Sequence, residues 1–291
     1  MTLILDLTKG VTETTAYKAW KFPGGEIHFK FSDEFIRWLN SHRSLEIQTR
    51  INTSDDFLFL LLVIDTLKKD YQNHTIDVFI PYMLYQQADR DFSVGECFSL
   101  RTVTKILNAI GVNSYTIYDP HSDVTPALLQ NCKVIDNSDY IKWVLEQLPS
   151  LGKYSNGFNV VMLSPDAGAY KKIYKLANKI QFKGEVASAN KSRSISTGNI
   201  DSLELSKHDF EGKDVLIVDD ICIGGRTFIE LAKKLKERNV GDLYLAISHG
   251  IFSNGYDELS LYYKKVFTTN SRKNEYNHEL ISTFNIFGDN D

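Results

Sequence analysis

The sequence predicts an α/β protein of two related domains, each with a mainly parallel sheet flanked by helices. Three observations carry this. Short apolar, β-branched runs alternate with stretches of helical spacing, the alternation runs along the chain twice, and a polar, Gly-containing stretch near Pro149–Gly157 separates the two series. The expected division is residues 1–148 and 149–291, and a chain of 291 residues suits two α/β domains of ordinary size.

The elements follow in order. Met1–Lys9, an apolar run interrupted by Asp6, reads as a first strand and not as a signal peptide. Ile76–Ile80 (IDVFI) is the next strand, Ser99–Ile110 has helical spacing, and Ser114–Tyr118 is a strand again. The second series opens with strand Asn159–Leu163 (NVVML) and a helix over Ala169–Ile180. Strands Glu185–Ser188 and Val215–Val218, a helix over Thr227–Glu237 and a strand over Asp242–Ile247 complete it. Strands separated by helices of this length imply parallel pairing, because a parallel neighbour is reached only through a crossover.

Composition narrows the function classes. Hydrophobic residues make up 43% and charged residues 24%, the balance of a soluble globular protein. A formal net charge of −4 gives no broad basic face for nucleic acid. The longest apolar run, Phe57–Ile64, is too short to span a bilayer. Cys97, Cys132 and Cys222 share no metal-ligand spacing and fit a reducing cytosol. The expectation is a cytoplasmic protein with neither nucleic acid nor membrane as partner.

The strongest signal is DVLIVDDICIGGRT, Asp214–Thr227. Val215–Val218 form a buried strand, and Asp219 and Asp220 stand at its carboxyl end, where open parallel sheets bind ligands. Gly224 and Gly225 make a tight loop and Thr227 opens the next helix. A Gly-rich turn feeding a helix N-terminus aims backbone N–H groups at an anion. Two adjacent carboxylates beside it can hold ribose hydroxyls or the waters of Mg²⁺, so the combination suits a sugar phosphate. An acidic turn after a strand is the plain alternative, since Asp and Gly are common there, but the complete pattern outweighs it. No Lys follows the second glycine, so this is not a Walker A loop.

VDDICIGGRT resembles the phosphoribosyl-pyrophosphate binding loop of type I phosphoribosyltransferases and of the synthetase that makes their cosubstrate. Four further segments resemble the synthetase, in the same order: KFPGGEIHFKF (Lys21–Phe31), IPYMLYQQADR (Ile80–Arg90), LSPDAGA (Leu163–Ala169) and SHGIFS (Ser248–Ser253). Over nearly its whole length the chain is similar to the phosphoribosyl-pyrophosphate synthetase family, as a divergent member. The resemblance implies two type I phosphoribosyltransferase-like domains and a homo-oligomer. It also implies Mg²⁺-dependent transfer of diphosphate from ATP to the anomeric hydroxyl of a ribose 5-phosphate group, releasing AMP.

It further implies roles. His121, in YDPHSD, and Asp166 hold the metal, which needs little more than a carboxylate and substrate phosphates. Lys191 and Arg193, in ANKSRSIST, belong to a mobile basic loop that closes over the triphosphate and steadies its transition-state charge. Phe22 and Glu26, supplied by a neighbouring subunit, bind ATP together with Gln87, Asp89 and Arg90. Asp219, Asp220, Cys222, Ile223, Gly224, Gly225, Arg226 and Thr227 bind the acceptor. His249 matches a family position without a chemical role. Taken without the resemblance, a lone His is more often structural, a basic loop a solvated surface and a strand Phe core.

Departures from the family pattern bear on specificity. Gly24 stands where an acidic residue is usual, Gln87–Ala88 replace Arg-Gln, Ile223 replaces Asp and Gly224 replaces Thr. Ile223 can act as neither acid nor base, which counts against a phosphoribosyltransferase. The retained Lys191, Arg193, His121, Asp166, Asp219 and Asp220 count against a non-catalytic regulatory subunit. Gly224 removes a hydroxyl and its volume, and Ile223 a negative charge, so the pocket is expected to be wider at the sugar's 5′ end. ADP-ribose, with Arg226 meeting its second phosphate, therefore stands beside ribose 5-phosphate as an acceptor.

Overall fold

The structure, a computed structural model, describes residues 2–149, 159–193 and 200–288, with side chains at 2–149, 159–189 and 204–288. The chain divides into two compact units, Met1–Asp136 and Asn137–Asp291.

In the first unit the elements are β1 (Leu3–Asp6), the hairpin β2 (Tyr17–Lys21) and β3 (Ile27–Phe31), α1 (Asp33–Ser41), β4 (Ser44–Gln48) and α2 (Ser54–Asp70). Then come β5 (Thr75–Ile80), α3 (Ser99–Ile110), β6 (Ser114–Tyr118), α4 (Val124–Leu128) and β7 (Cys132–Ile135). The main sheet has the order β1-β4-β5-β6-β7 and is parallel throughout. Helix α2 contains the long apolar run Phe57–Ile64. A capping box starts it: Asp56 N–H donates to Thr53 Oγ1 at 3.2 Å and Thr53 N–H to Asp56 Oδ2 at 2.9 Å. Its Phe59, Leu60, Val63, Ile64 and Leu67 are buried, each contributing roughly 1.5–3 kcal/mol. At its far end Lys68 donates to Gly111 O at 2.7 Å, satisfying a carbonyl at the end of α3.

The second unit contains α5 (Ser138–Gln147), β8 (Val160–Ser164), α6 (Ala167–Lys179), β9 (Glu185–Arg193), β10 (Ile200–Leu205) and β11 (Asp214–Cys222). It continues with α7 (Arg226–Lys236), β12 (Leu243–Gly250), α8 (Asp257–Ser260), β13 (Lys265–Thr269) and β14 (Ile281–Phe284). The sheet order is β10-β9-β8-β11-β12-β13-β14. Among its described strand pairs only β9–β10 is antiparallel. Every residue of β8 and β12 is buried, as expected of strands covered on both faces. Helix α5 belongs to this unit because the Tyr140 hydroxyl accepts from Ile247 N–H at 3.1 Å and donates to Ile247 O at 3.2 Å. The division therefore falls at Asp136/Asn137, ahead of the boundary expected after residue 148.

Two features position the site. From β8 the chain crosses through α6 to β9 on one side, and from β11 through α7 to β12 on the other, so strand order reverses between β8 and β11. Second, β9 outruns the expected Glu185–Ser188. Its backbone pairs with β10 as far as Arg193, with Lys191 opposite Leu203, where the sequence predicted a loop. Among the described residues no helix is long and apolar enough to cross a membrane.

Candidate active site

Strand β11 is paired with β8 only as far as Ile217, opposite Leu163, but with β12 as far as Cys222, opposite Gly250. Asp219 and Asp220 thus lie on an open strand edge at the point where strand order reverses. Across that opening, the turn after β8 carries Asp166. Its Oδ1 accepts from Ala169 N–H at 2.9 Å and caps α6, while Ser164 Oγ donates to Asp166 O at 2.7 Å. The three carboxylates interact. Burial, then the charge and hydrogen bond of Asp220, then Asp166, raise the Asp219 carboxyl well above its ordinary value. The Asp220 N–H, donating to Asp219 Oδ1 at 3.0 Å, offsets this only in part.

Such crowding is relieved by a divalent cation or by donor hydroxyls. Among the described residues, no three or more His, Cys, Asp or Glu side chains form a metal-binding group. A single carboxylate such as Asp166 suffices for Mg²⁺, which takes one or two carboxylates and completes its shell with substrate oxygens and water.

The loop after β11 provides the complementary feature. Gly225, at φ +83°, adopts the left-handed backbone that glycine allows and sits at the N-cap of α7. No side chain caps α7, whereas Thr53 caps α2 and Asp166 caps α6. Phe228 N–H donates back to Gly225 O at 2.9 Å, and the N–H groups of Arg226 and Thr227 remain for an anion. Arg226 is exposed and Thr227 half-buried there. Ile223 is exposed, whereas the Cys222 side chain lies in the core, its thiol pushed up to about 12 by burial and by Asp219. Cys222 therefore serves the loop through its backbone. Gly224 does not leave a void: a Cβ built on it would stand 2.9 Å from Asn254 Nδ2. The expected widening is thus taken up by an amide from the next loop. His249 is fully buried, its Nδ1 2.9 Å from Ser271 Oγ, a structural arrangement.

In the first unit a second polar cluster joins two loops. Asp89 is nearly buried and accepts from Arg90 Nε at 3.0 Å and from Ser122 Oγ at 2.7 Å. Burial alone would raise its carboxyl, but those bonds and the charges of Arg90 and His121 outweigh it and hold it below its ordinary value. The adjacent His121 N–H donates to Oε1 of the fully buried Gln86 at 3.3 Å. Gln87 and the His121 side chain are exposed. The structure thus brings Asp89, Arg90 and His121 together.

Residues 134–282, just over half of the chain, match the family profile of the phosphoribosyl transferase domain. The ribose-phosphate pyrophosphokinase of Sulfurisphaera tokodaii is 28% identical over 253 residues, covering 86% of this chain and 82% of that protein. That of Sulfolobus acidocaldarius is 26% identical over 255 residues with the same coverage. The chain belongs to the phosphoribosyl transferase domain family, in its phosphoribosyl-pyrophosphate synthetase group. It is a transferase by that membership. The crystal structure of phosphoribosylpyrophosphate synthetase from Mycobacterium smegmatis matches with a TM-score of 0.77 at 19% identity, over 98% of this chain and 94% of that one, and shows the same fold.

The remaining synthetase-like positions are dispersed. Phe22 and Glu26 flank the β2–β3 turn, where Phe22 N–H donates to Glu26 O at 2.8 Å. Phe22 is 47% exposed and stacks on His28 at 5.6 Å. Lys191 and Arg193 lie on the backbone of β9, and their side chains are outside the described residues. Gln86, Ser122 and Asn254 escaped the sequence reading. Asn254 did have a signal, the Ser-Asn-Gly turn directly after SHGIF.

Proposed function

We propose that the chain transfers diphosphate from ATP to the anomeric hydroxyl of a ribose 5-phosphate group, with Mg²⁺, releasing AMP. The observation that carries this is the carboxylate pair Asp219–Asp220 beside an uncapped, glycine-led helix N-terminus at the strand reversal. The acceptor's phosphate sits at the first turn of α7 and its ribose hydroxyls donate to the two carboxylates. The anomeric oxygen attacks the β-phosphorus of ATP. The bond from that phosphorus to the oxygen bridging the α-phosphate breaks, AMP leaves with that oxygen, and the hydroxyl proton passes to solvent.

Asp166 and His121 are the proposed holders of Mg²⁺, which when bound neutralises charge on the phosphates. Lys191 and Arg193 are proposed to donate to the phosphoryl oxygens as charge spreads over them. Gln87, Asp89 and Arg90, with Phe22 and Glu26 from a neighbouring copy in a homo-oligomer, are proposed to bind ATP. The cytoplasm is the proposed location.

Ribose 5-phosphate is the first acceptor to test and ADP-ribose the second. Ile223, which leaves the loop without the usual acidic side chain, and the amide of Asn254 beside Gly224 favour including the larger molecule. Incubation with ATP, Mg²⁺ and each acceptor, followed by nucleotide separation, tests the reading. Acceptor-dependent AMP supports it, and acceptor-dependent ADP as the sole product overturns it.

A further inference from the structure

The connection between β12 and α8 is laced to the loop after β11. Ile251 and Phe252 N–H donate to Cys222 O at 2.9 and 3.2 Å, and Ser253 N–H donates to Ile223 O at 2.8 Å. These bonds hold the exposed Asn254 against the glycine pair, its Nδ2 2.9 Å from where a side chain on Gly224 would begin. The Ser253 hydroxyl, 3.5 Å from Asn254 Oδ1, is consistent with the amide turning its NH₂ toward the loop. A donor thus stands where a side chain at position 224 would have been.

The next connection along the sheet edge, after β13, adds a cation. Lys273 Nζ donates to the Tyr256 hydroxyl at 3.0 Å and lies 4.3 Å from the centre of the Tyr276 ring. Phe252 packs edge-on against both Tyr256 and Tyr276, with ring centres 5.4 and 5.6 Å apart, so the two connections form one wall. In the order β8, β11, β12, β13 the edge therefore carries Asp166, then the aspartate pair and glycine loop, then Asn254, then Lys273. With the reacting end of the acceptor toward β8, anything attached to its 5′-phosphate runs over Asn254 toward Lys273.

Resting on the function proposed above, we propose that Asn254 is a phosphate-binding residue of the acceptor site. Lys273, steadied by Tyr256, forms a second anion subsite beyond it. The subsite recognises a second phosphate carried on the first, as in a nucleoside-diphosphate-linked ribose.

Steady-state kinetics with ribose 5-phosphate and ADP-ribose test this. Asn254→Ala is expected to raise KM for every acceptor used by roughly tenfold, the effect of losing one hydrogen bond to a charged group, with little change in KM for ATP. Asn254→Asp, which substitutes a negative charge, is expected to be worse than Ala. Lys273→Ala is expected to raise KM for ADP-ribose several-fold more than for ribose 5-phosphate. Gly224→Thr should clash with Asn254, and adding Asn254→Ala should restore part of the lost acceptor affinity. An Asn254→Ala enzyme with unchanged acceptor KM overturns the first assignment. Equal effects of Lys273→Ala on both acceptors, or wild-type turnover of ribose 5-phosphate alone, overturn the second. Turnover of neither acceptor sinks the functional reading instead. Calorimetric binding of ribose 5-phosphate to wild type and Asn254→Ala then still decides the role of Asn254.

Discussion

The backbone N–H of Asp220 donates to Asp219 Oδ1 at 3.0 Å, holding two carboxyls side by side on a strand edge that β8 no longer covers. With Asp166 nearby, Asp219 carries an electrostatic cost in the protein alone. Function and stability therefore oppose each other at this residue.

Asp219→Asn is expected to abolish most acceptor turnover yet raise the melting temperature of the metal-free protein by roughly 2–4 °C near neutral pH. The sign follows from the raised carboxyl. Its folded-state value lies above its unfolded one, so its contribution favours folding in acid and is lost as pH climbs from about 4 through the raised value. Melting curves at acid and mildly alkaline pH check this: the gain in Asp219→Asn should be larger at the alkaline end. A variant less stable than wild type there would assign Asp219 a structural role.

Mg²⁺ is expected to raise the melting temperature of wild type, and less so that of Asp166→Asn, which loses a proposed metal-holding carboxylate. Chelation should stop AMP formation. Identical shifts in both proteins would remove Asp166 from the metal site.

Lys191→Ala is expected to lower kcat by about two to three decades while leaving acceptor binding nearly intact. Near-normal turnover would return this strand segment to the solvated surface.

Asp89→Asn exchanges a carboxylate acceptor of two hydrogen bonds for an amide and is expected to cost about 1–3 kcal/mol, with a raised KM for ATP. Its depressed carboxyl makes this contribution present above the ordinary carboxylate range and lost as pH falls below it. Urea denaturation at neutral pH and at pH about 2–3, below the ordinary carboxylate range, measures both.

Much of this was legible in the residues. Strand β6 and helix α3 have the bounds their periodicity predicted, because both are amphipathic or apolar over their whole length. In the second unit β8 and β12 are close to expectation for the same reason, both being buried on both faces, whereas β10, β13 and β14 were not expected. The β2–β3 hairpin and β4 were not read as strands, being short and interrupted by Lys18, Lys21, Lys30, Glu46 and Gln48. The division at Asp136/Asn137 follows from α5 reaching strands at least 107 residues away, Tyr140 bonding to Ile247 and Trp143 packing on Phe267 and Phe284, and no local pattern announces that. The aspartate pair and glycine loop stood out because strand, carboxylates, glycines and helix are contiguous. Asn254 did not, because its place beside Gly224 is created by β12 lying next to β11.

The central claim is that a diphosphate moves as one unit. ATP radiolabelled at its β-phosphate, incubated with Mg²⁺ and ribose 5-phosphate or ADP-ribose, tests it most directly. The account predicts that the label leaves the nucleotide and appears on the acceptor in step with unlabelled AMP. Label retained in ADP, with only the γ-phosphate transferred, would contradict it.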